Sequence, residues 1–278
     1  MMTTRGLQVK KIEFERLKEA SWTNEAAVYH HFERWLKDVE RTLEKENRTI
    51  LLAFDEFEKL EAAGQHGHLD LELLLDWFRS LIQNYPRVAL LFSGVRSFAD
   101  MGMNWAGYFV NVQTLKVSFL LPAEAHQLIV RPVPNFPSEQ VFAKGVVEEI
   151  MRLTGCHPFL VQGVCSALID HLNAQKRSFA DVDDVASSMD RFFNAWWDTY
   201  FRDLWERTDE LQRVCLLTLR SQRKGTISSI EQESGLDGKT VRRVLEMLLR
   251  RDIITQEYQC HSIATPIFDE WIERSSYS

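Results

Sequence analysis

No apolar run in this chain approaches the length that crosses a bilayer, and the opening Met-Met-Thr-Thr-Arg-Gly has no signal-peptide core. The expectation is a soluble protein with no membrane partner. Cysteine is scarce: Cys156, Cys165, Cys215 and Cys260 include no C-x-x-C pair and sit among apolar neighbours. That spacing argues against a zinc site and predicts buried thiols in a reducing cytoplasm. The twelve glycines are scattered. Gly94 and Gly102 form no dinucleotide fingerprint, and no G-x-x-x-x-G-K-[ST] string, the loop that cradles phosphates, occurs anywhere. The Gly238-Lys239 pair has no glycine five residues before it. A Ser/His/Asp set is also missing. Positive charge is in deficit, with a net −7, which argues against whole-chain affinity for nucleic acid.

What is present is an ordinary globular composition, 45% hydrophobic and 26% charged over 278 residues, enough for one large domain or two smaller ones. The most informative stretch is 50–58, Ile-Leu-Leu-Ala-Phe-Asp-Glu-Phe-Glu. An apolar run of this length predicts a strand buried on both faces of a parallel sheet. Asp55 and Glu56 then fall at its C-terminal edge, where open α/β sheets place their ligands. Adjacent carboxylates repel, so a compensating group is expected nearby. The pair resembles the Asp-Glu Walker B box of P-loop ATPases, in which the first acid holds Mg²⁺ and the second polarises water. The other reading is a helix whose first turn carries acids, as helix N-termini favour.

Around this strand the pattern alternates. Gln8–Phe14 predicts a short strand, and 25–46 an amphipathic helix carrying Val28, Phe32, Trp35, Leu36, Val39 and Leu43. A helix at about 70–84 ends before Pro86, Val88–Phe92 reads as a second buried strand, and Leu115–Leu121 as a third, with Pro122 opening the next helix. Ser93 and Arg96 follow the second strand. There a hydroxyl could read a γ-phosphate and an arginine could stabilise transferring charge; a solvated turn is the alternative. Three prolines between Pro132 and Pro137 mark a hinge. Beyond it the pattern is helical, over about 139–153, 158–174 and 181–206. Gly155 and Pro158 suit a helix cap and a first helical position, so His157 between them is open to a structural reading. His66 and His68 have no acids at metal-ligand spacing, and Trp196, Trp197 and Tyr200 read as packing.

The last stretch changes sign. Residues 211–251 hold nine Lys or Arg against four Asp or Glu. Their order is helix (211–220), short helix (227–234), longer helix (238–251), hairpin (253–257 and 260–264) and a final helix from Pro266. This resembles a winged helix-turn-helix. Val241, Val244, Leu245, Leu248 and Leu249 make the core side of the third helix. Lys239, Thr240, Arg242, Arg243, Arg250 and Arg251 lie outward. Lys239, Arg242, Arg243 and Arg250 are the nucleic-acid candidates. An intramolecular clamp, its charged face meeting the acidic remainder of the chain, is the reading favoured over DNA binding.

Taken in order, these pieces resemble the STAND-type members of the AAA+ superfamily, close to the archaeal and Orc-like ATPases. Thr154-Gly-Cys-His-Pro-Phe-Leu-Val-Gln162 is similar to that family's lid signature, although the family usually has Gly where Cys156 stands. The resemblance spans roughly residues 8–274. It implies a P-loop NTPase core at 1–134, a helical lid at 135–209 and a winged helix at 210–278. It implies ATP and Mg²⁺ as cofactors, Asp55 on the metal, Glu56 as catalytic acid, Ser93 or Arg96 as sensor, and His157 and Pro158 near the nucleotide. It also implies strand order 5-1-4-3-2 with the phosphate loop after strand 1. The segments above match strands 2 to 5, so strand 1 and its loop are lacking. The expectation is the C-terminal portion of a regulatory ATPase switch in signal transduction, inactive or weak alone, that needs a missing N-terminal segment or self-associates through open sheet edges. The alternatives are a non-catalytic DNA-binding or protein-interaction module and an adaptor assembled through its sheet edge.

Overall fold

A computed structural model describes residues 25–98, 101 and 105–275. The strand expected at Gln8–Phe14 lies outside the described residues. The chain forms two compact units, one up to Leu115 and one from Lys116.

In the first unit, α1 (Glu25–Lys45) is followed by β1 (Ile50–Phe54), α2 (Lys59–Gln65), α3 (Leu71–Asn84), β2 (Val88–Phe92) and the short α4 (Trp105–Tyr108). The strands pair in parallel, Ile50 opposite Val88 through Phe54 opposite Phe92. Asp70 caps α3 by accepting the Leu73 N–H at 3.0 Å. From α1, Leu36, Val39 and Leu43 join Leu81, Tyr85 and Val88 against Ile50, Leu52 and Leu90. From α3, Leu71, Leu74, Leu75 and Phe78 pack with Phe54, Leu90 and Phe92.

Both helices thus cover the same face of the sheet, and this corrects one expectation. Burial along the strands alternates, leaving Leu51 59% and Leu91 47% exposed on the other face. The apolar run shows that a strand can be buried on both faces; among the described residues no element covers the second. A further correction concerns 115–121, which forms no strand. A strand needs a neighbour to satisfy its N–H and C=O groups. No described segment runs alongside, and Val117 stands 95% exposed. One backbone tie of this stretch is Leu120 N–H to the Cys156 carbonyl, 3.1 Å.

The second unit is helical: α5 (Pro122–Val130), α6 (Ser138–Val141), α7 (Val146–Thr154), α8 (Pro158–Gln175), α9 (Val182–Phe192) and α10 (Asp198–Glu206). Pro122 and Pro158 each open a helix, as expected. The single helix expected over 181–206 is broken by a wide turn at Phe193–Trp197, where Ala195 takes an extended conformation (φ −81°, ψ −174°). In a continuous helix Phe192, Phe193 and Phe201 would spread over about 180°. The break rephases the chain so that all three are buried in one cluster. The three-proline stretch lies within this unit.

Next come α11 (Glu210–Gln222), α12 (Ile227–Ser234), α13 (Gly238–Arg250), the antiparallel hairpin β3 (Ile254–Glu257) and β4 (Cys260–Ile263), and α14 (Pro266–Ser275). Local chemistry sets the boundaries. Thr226 and Ser229 cap α12 reciprocally, Gly235 ends it at φ 72°, and Asp237 caps α13 through the Lys239 and Thr240 N–H groups at 3.0 Å. Val241, Val244, Leu245 and Leu248 of α13 belong to the same core cluster that begins at Ile129 and ends at Ile272. Cys215 is buried and the other three cysteines are half-buried; all four are free thiols.

Candidate functional site

The two parallel strands end side by side, and the pairing runs one step past them: the Ser93 N–H reaches the Phe54 carbonyl at 2.9 Å, and the Phe57 N–H the Ser93 carbonyl at 3.2 Å. This register brings Asp55 and Ser93 together. The Ser93 hydroxyl donates to Asp55 Oδ1 at 2.7 Å, and the Glu56 N–H donates to the same oxygen at 3.0 Å. The Ser93 hydroxyl, then the Glu56 N–H, hold the exposed Asp55 carboxyl below the usual carboxylate range.

Glu56 turns away from its neighbour. It adopts φ 53°, an uncommon left-handed conformation for a residue other than glycine. Its carboxylate pairs with Lys59, which raises the lysine pKa. The repulsion expected between the two acids is therefore relieved by three groups: a serine, a lysine and a backbone turn.

Two further acids stand behind this pair, and sequence reasoning missed both. Glu58 Oε1 accepts the Val95 N–H at 3.2 Å, while its Oε2 is buried without a partner. Glu61 is buried, and Arg96 Nη1 donates to its Oε2 at 3.0 Å. Arg96 is thus engaged with a carboxylate. The signal available was the spacing of acids at 55, 56, 58 and 61 across a strand-to-helix turn. The structure brings Asp55, Glu56, Ser93 and Arg96 to one end of the sheet.

His157 and Pro158 belong to the second unit. Gly155 ends α7 at φ 56°, and a Cβ there would come within 2.6 Å of the Ala264 carbonyl oxygen. Cys156 follows at φ 63°, a left-handed conformation that costs a non-glycine residue about 1–2 kcal/mol. His157 then precedes α8. Its ring lies edge-on to Phe119 (centroids 5.0 Å apart), its Nε2 is 3.3 Å from the Tyr200 hydroxyl, and its Nδ1 is buried without a partner. Burial pushes the imidazole below its ordinary pKa. A cavity of about 40 Å³ is lined here by Phe119, His157, Tyr200, Asp252, Thr265 and Phe268. It has room for a few waters.

On α13, Lys239, Arg242, Arg243 and Arg250 are all exposed, opposite the buried apolar stripe. Two residues expected beside them are engaged: Thr240 Oγ1 donates to Asp237 at 2.6 Å, and Arg251 donates to the Arg207 carbonyl at 2.9 Å. Among the described residues no group of three His, Cys, Asp or Glu side chains is arranged to hold a metal ion, and no helix is long and apolar enough to cross a membrane.

No protein-family model matches the chain, and no curated protein sequence does. Solved structures do. A Walker-type ATPase of Pyrococcus abyssi aligns over 95% of this chain and 72% of its own, at 14% identity and a TM-score of 0.60. The chain has a P-loop ATPase-like fold. Weaker similarities are to Aeropyrum pernix Orc2, solved in ADPNP-ADP complexes (13% identity, 88% of this chain and 70% of that one, TM-score 0.44), and to the Thermotoga maritima RuvB branch-migration motor (16%, 77% and 66%, 0.41). The chain spans just under two thirds of the RuvB structure. At 14% identity the Pyrococcus likeness fixes architecture alone. Within that P-loop ATPase-like fold, the Asp55–Ser93 pair sits where open α/β sheets place ligands, at the carboxyl ends of parallel strands.

Proposed function

We propose that this chain is a nucleotide-responsive regulatory module of the STAND-type AAA+ class, with Asp55 as the acid that meets Mg²⁺. The observation that carries the reading is the 2.7 Å bond from the Ser93 hydroxyl to Asp55 Oδ1 at the ends of two parallel strands. It keeps the carboxylate ionised and oriented, with Oδ2 left for a cation. Glu56 is the candidate water-polarising acid and Ser93 the candidate sensor. The turn at His157 and Pro158 is the candidate lid contact, within a lid at 135–209 that precedes a winged helix at 210–278.

The acidic edge fits a hydrated Mg²⁺, which binds through one or two carboxylates and keeps its waters. The phosphate side does not fit: the sequence has no Gly-rich loop and no lysine in one. No hydrolytic step follows from these residues, and turnover by the chain alone is expected to be weak or absent. A partner segment that supplies the phosphate loop would complete the site. The test is equilibrium binding of a fluorescent ATP analogue, with and without Mg²⁺, to the wild type and to Asp55→Ala. Mg²⁺-dependent binding that disappears in Asp55→Ala is expected. Binding indifferent to both Mg²⁺ and the substitution would sink the reading.

A second reading is supported by α13. Lys239, Arg242 and Arg243 are exposed and have no ion-pair partner among the described residues. In this reading the final module docks on DNA phosphates. It predicts duplex binding that weakens as salt rises, with a shallower salt slope in Arg242→Ala/Arg243→Ala. An unchanged slope in that variant counts against it.

A further inference from the structure

The four residues that follow β2, Ser93 to Arg96, are all exposed, and one is glycine. A turn of that composition does not hold a single conformation by itself. It is nevertheless tied to the segment after β1 at every residue but one. Ser93 is held by the backbone ladder and by Asp55, Val95 by Glu58, and Arg96 by Glu61. Gly94, the exception, is pressed flat: a Cβ there would lie 2.0 Å from Glu58 Oε2 and 2.9 Å from the Phe57 ring.

The two acids are costly where they stand. The Glu61 side chain is 8% exposed. A carboxylate so far from water requires its cation, so an Arg96 that reached toward a ligand would strand a buried charge. Glu58 leaves one oxygen buried and unpartnered, a loss that an apolar residue of similar length would avoid. What the acid provides, and an apolar residue would not, is an acceptor for the Val95 N–H. Glu58 and Glu61 are three residues apart, so both lie on the same side of the turn into α2.

We propose that Glu58 and Glu61 are positioning residues for the sheet-end site: they fix the Ser93–Arg96 turn against the start of α2 and so keep the Ser93 hydroxyl on Asp55. Arg96 is then the anchor of the turn, and Ser93 the group that faces a ligand. The proposal rests on the reading of Asp55 as the metal-facing acid, but its geometric core can be tested without nucleotide.

The experiment is amide hydrogen exchange in the full chain, read at Phe57, whose N–H is held by the Ser93 carbonyl, and at Glu56, whose N–H is held by Asp55 Oδ1, for wild type, Glu58→Ala, Glu58→Gln and Glu61→Ala. Glu58→Ala and Glu61→Ala are expected to speed exchange at both amides by about three- to tenfold, while amides of the second unit's core keep their rates. Glu58→Gln, whose amide oxygen still accepts the Val95 N–H, should restore the wild-type rates; a general loss of stability would not be rescued in this way. Unchanged rates at Phe57 and Glu56 in Glu58→Ala and Glu61→Ala overturn the proposal. A parallel measurement with the fluorescent ATP analogue separates the two claims. If the wild type binds, Glu58→Ala should weaken the Mg²⁺-dependent part by about three- to tenfold. Ser93→Ala added to it should cost nothing more; fully additive losses would mean that Glu58 acts independently of Ser93, against the proposal. If the wild type does not bind, the reading of Asp55 falls, and the exchange rates still decide whether Glu58 and Glu61 position the turn.

Discussion

The two units differ in how far each covers its own apolar surface. In the second unit a single cluster runs from Ile129 to Ile272 and draws on every long helix and the hairpin. Among the described residues of the first, two smaller clusters lie on one side of the β1–β2 pair, and Leu51 and Leu91 are exposed on the other. Parallel sheets are rarely left with an uncovered face. The comparison shows that an apolar run measures how much a segment can bury, whereas the covering has to come from elsewhere in the chain or from outside it.

The strongest way to break this comparison is to open the second unit. Phe201 is fully buried and stacks on Phe268 at 5.7 Å. Phe201→Ala is expected to cost about 3–5 kcal/mol, read as a lowered denaturation midpoint; a loss under about 1 kcal/mol would show that this core is loosely packed. Gly155→Ala should come next, because it adds both a strained φ and a Cβ against the Ala264 carbonyl. About 2–4 kcal/mol is expected, and a neutral outcome would mean that the turn is free to shift.

The effect of acid is smaller. His157 and His261 both have imidazoles pushed below the ordinary value of 6.5 by burial. Their folded pKa values are depressed, so their contribution is fully present above pH 6.5 and is lost as the pH falls through the lower folded values. The melting temperature of the second unit should therefore drop on acidification below pH 6.5, and His157→Gln should flatten part of that slope. An identical slope in the variant would remove His157 from the account. The smallest effect belongs to the sheet face that no described element covers. Leu91→Thr should change stability by no more than about 0.5 kcal/mol, and a loss comparable to that of Phe201→Ala would show that something covers this face.

The second unit was readable because its signals are local. The stripe of Val241, Val244, Leu245 and Leu248, the cap at Asp237 and the stop at Gly235 each specify their own turn of helix, and the helices expected at 158–174, 211–220, 227–234 and 238–251 begin and end within a residue or two of the expectation. The single helix expected over 139–153 is instead split into α6 and α7, with Gly145 at φ 93° before the second. The break at Ala195 was not readable, since it serves three phenylalanines that must share one core rather than any preference of the residues at the break. The sheet-end site was readable in outline, because an apolar run that ends in Asp-Glu puts its acids at a strand end. Glu58 and Glu61 were hidden because their partners, Val95 and Arg96, lie 37 and 35 positions away. The 115–121 segment has the alternation of a strand but no neighbour among the described residues that would make it one.

The continuity of the Ile129–Ile272 core has a practical bearing on dissection. By composition and element order the chain offers a seam near residue 210, where the basic stretch begins. The core has none there: Cys215, Leu216 and Leu219 on one side of that point and Ile150, Leu160 and Phe201 on the other are parts of one hydrophobic cluster. A fragment cut at 210 would carry away half of a shared wall and leave both halves wet. The final module is thus better regarded as a wing of a building than as an outbuilding, and any motion it makes must be made with the helices to which it is fused.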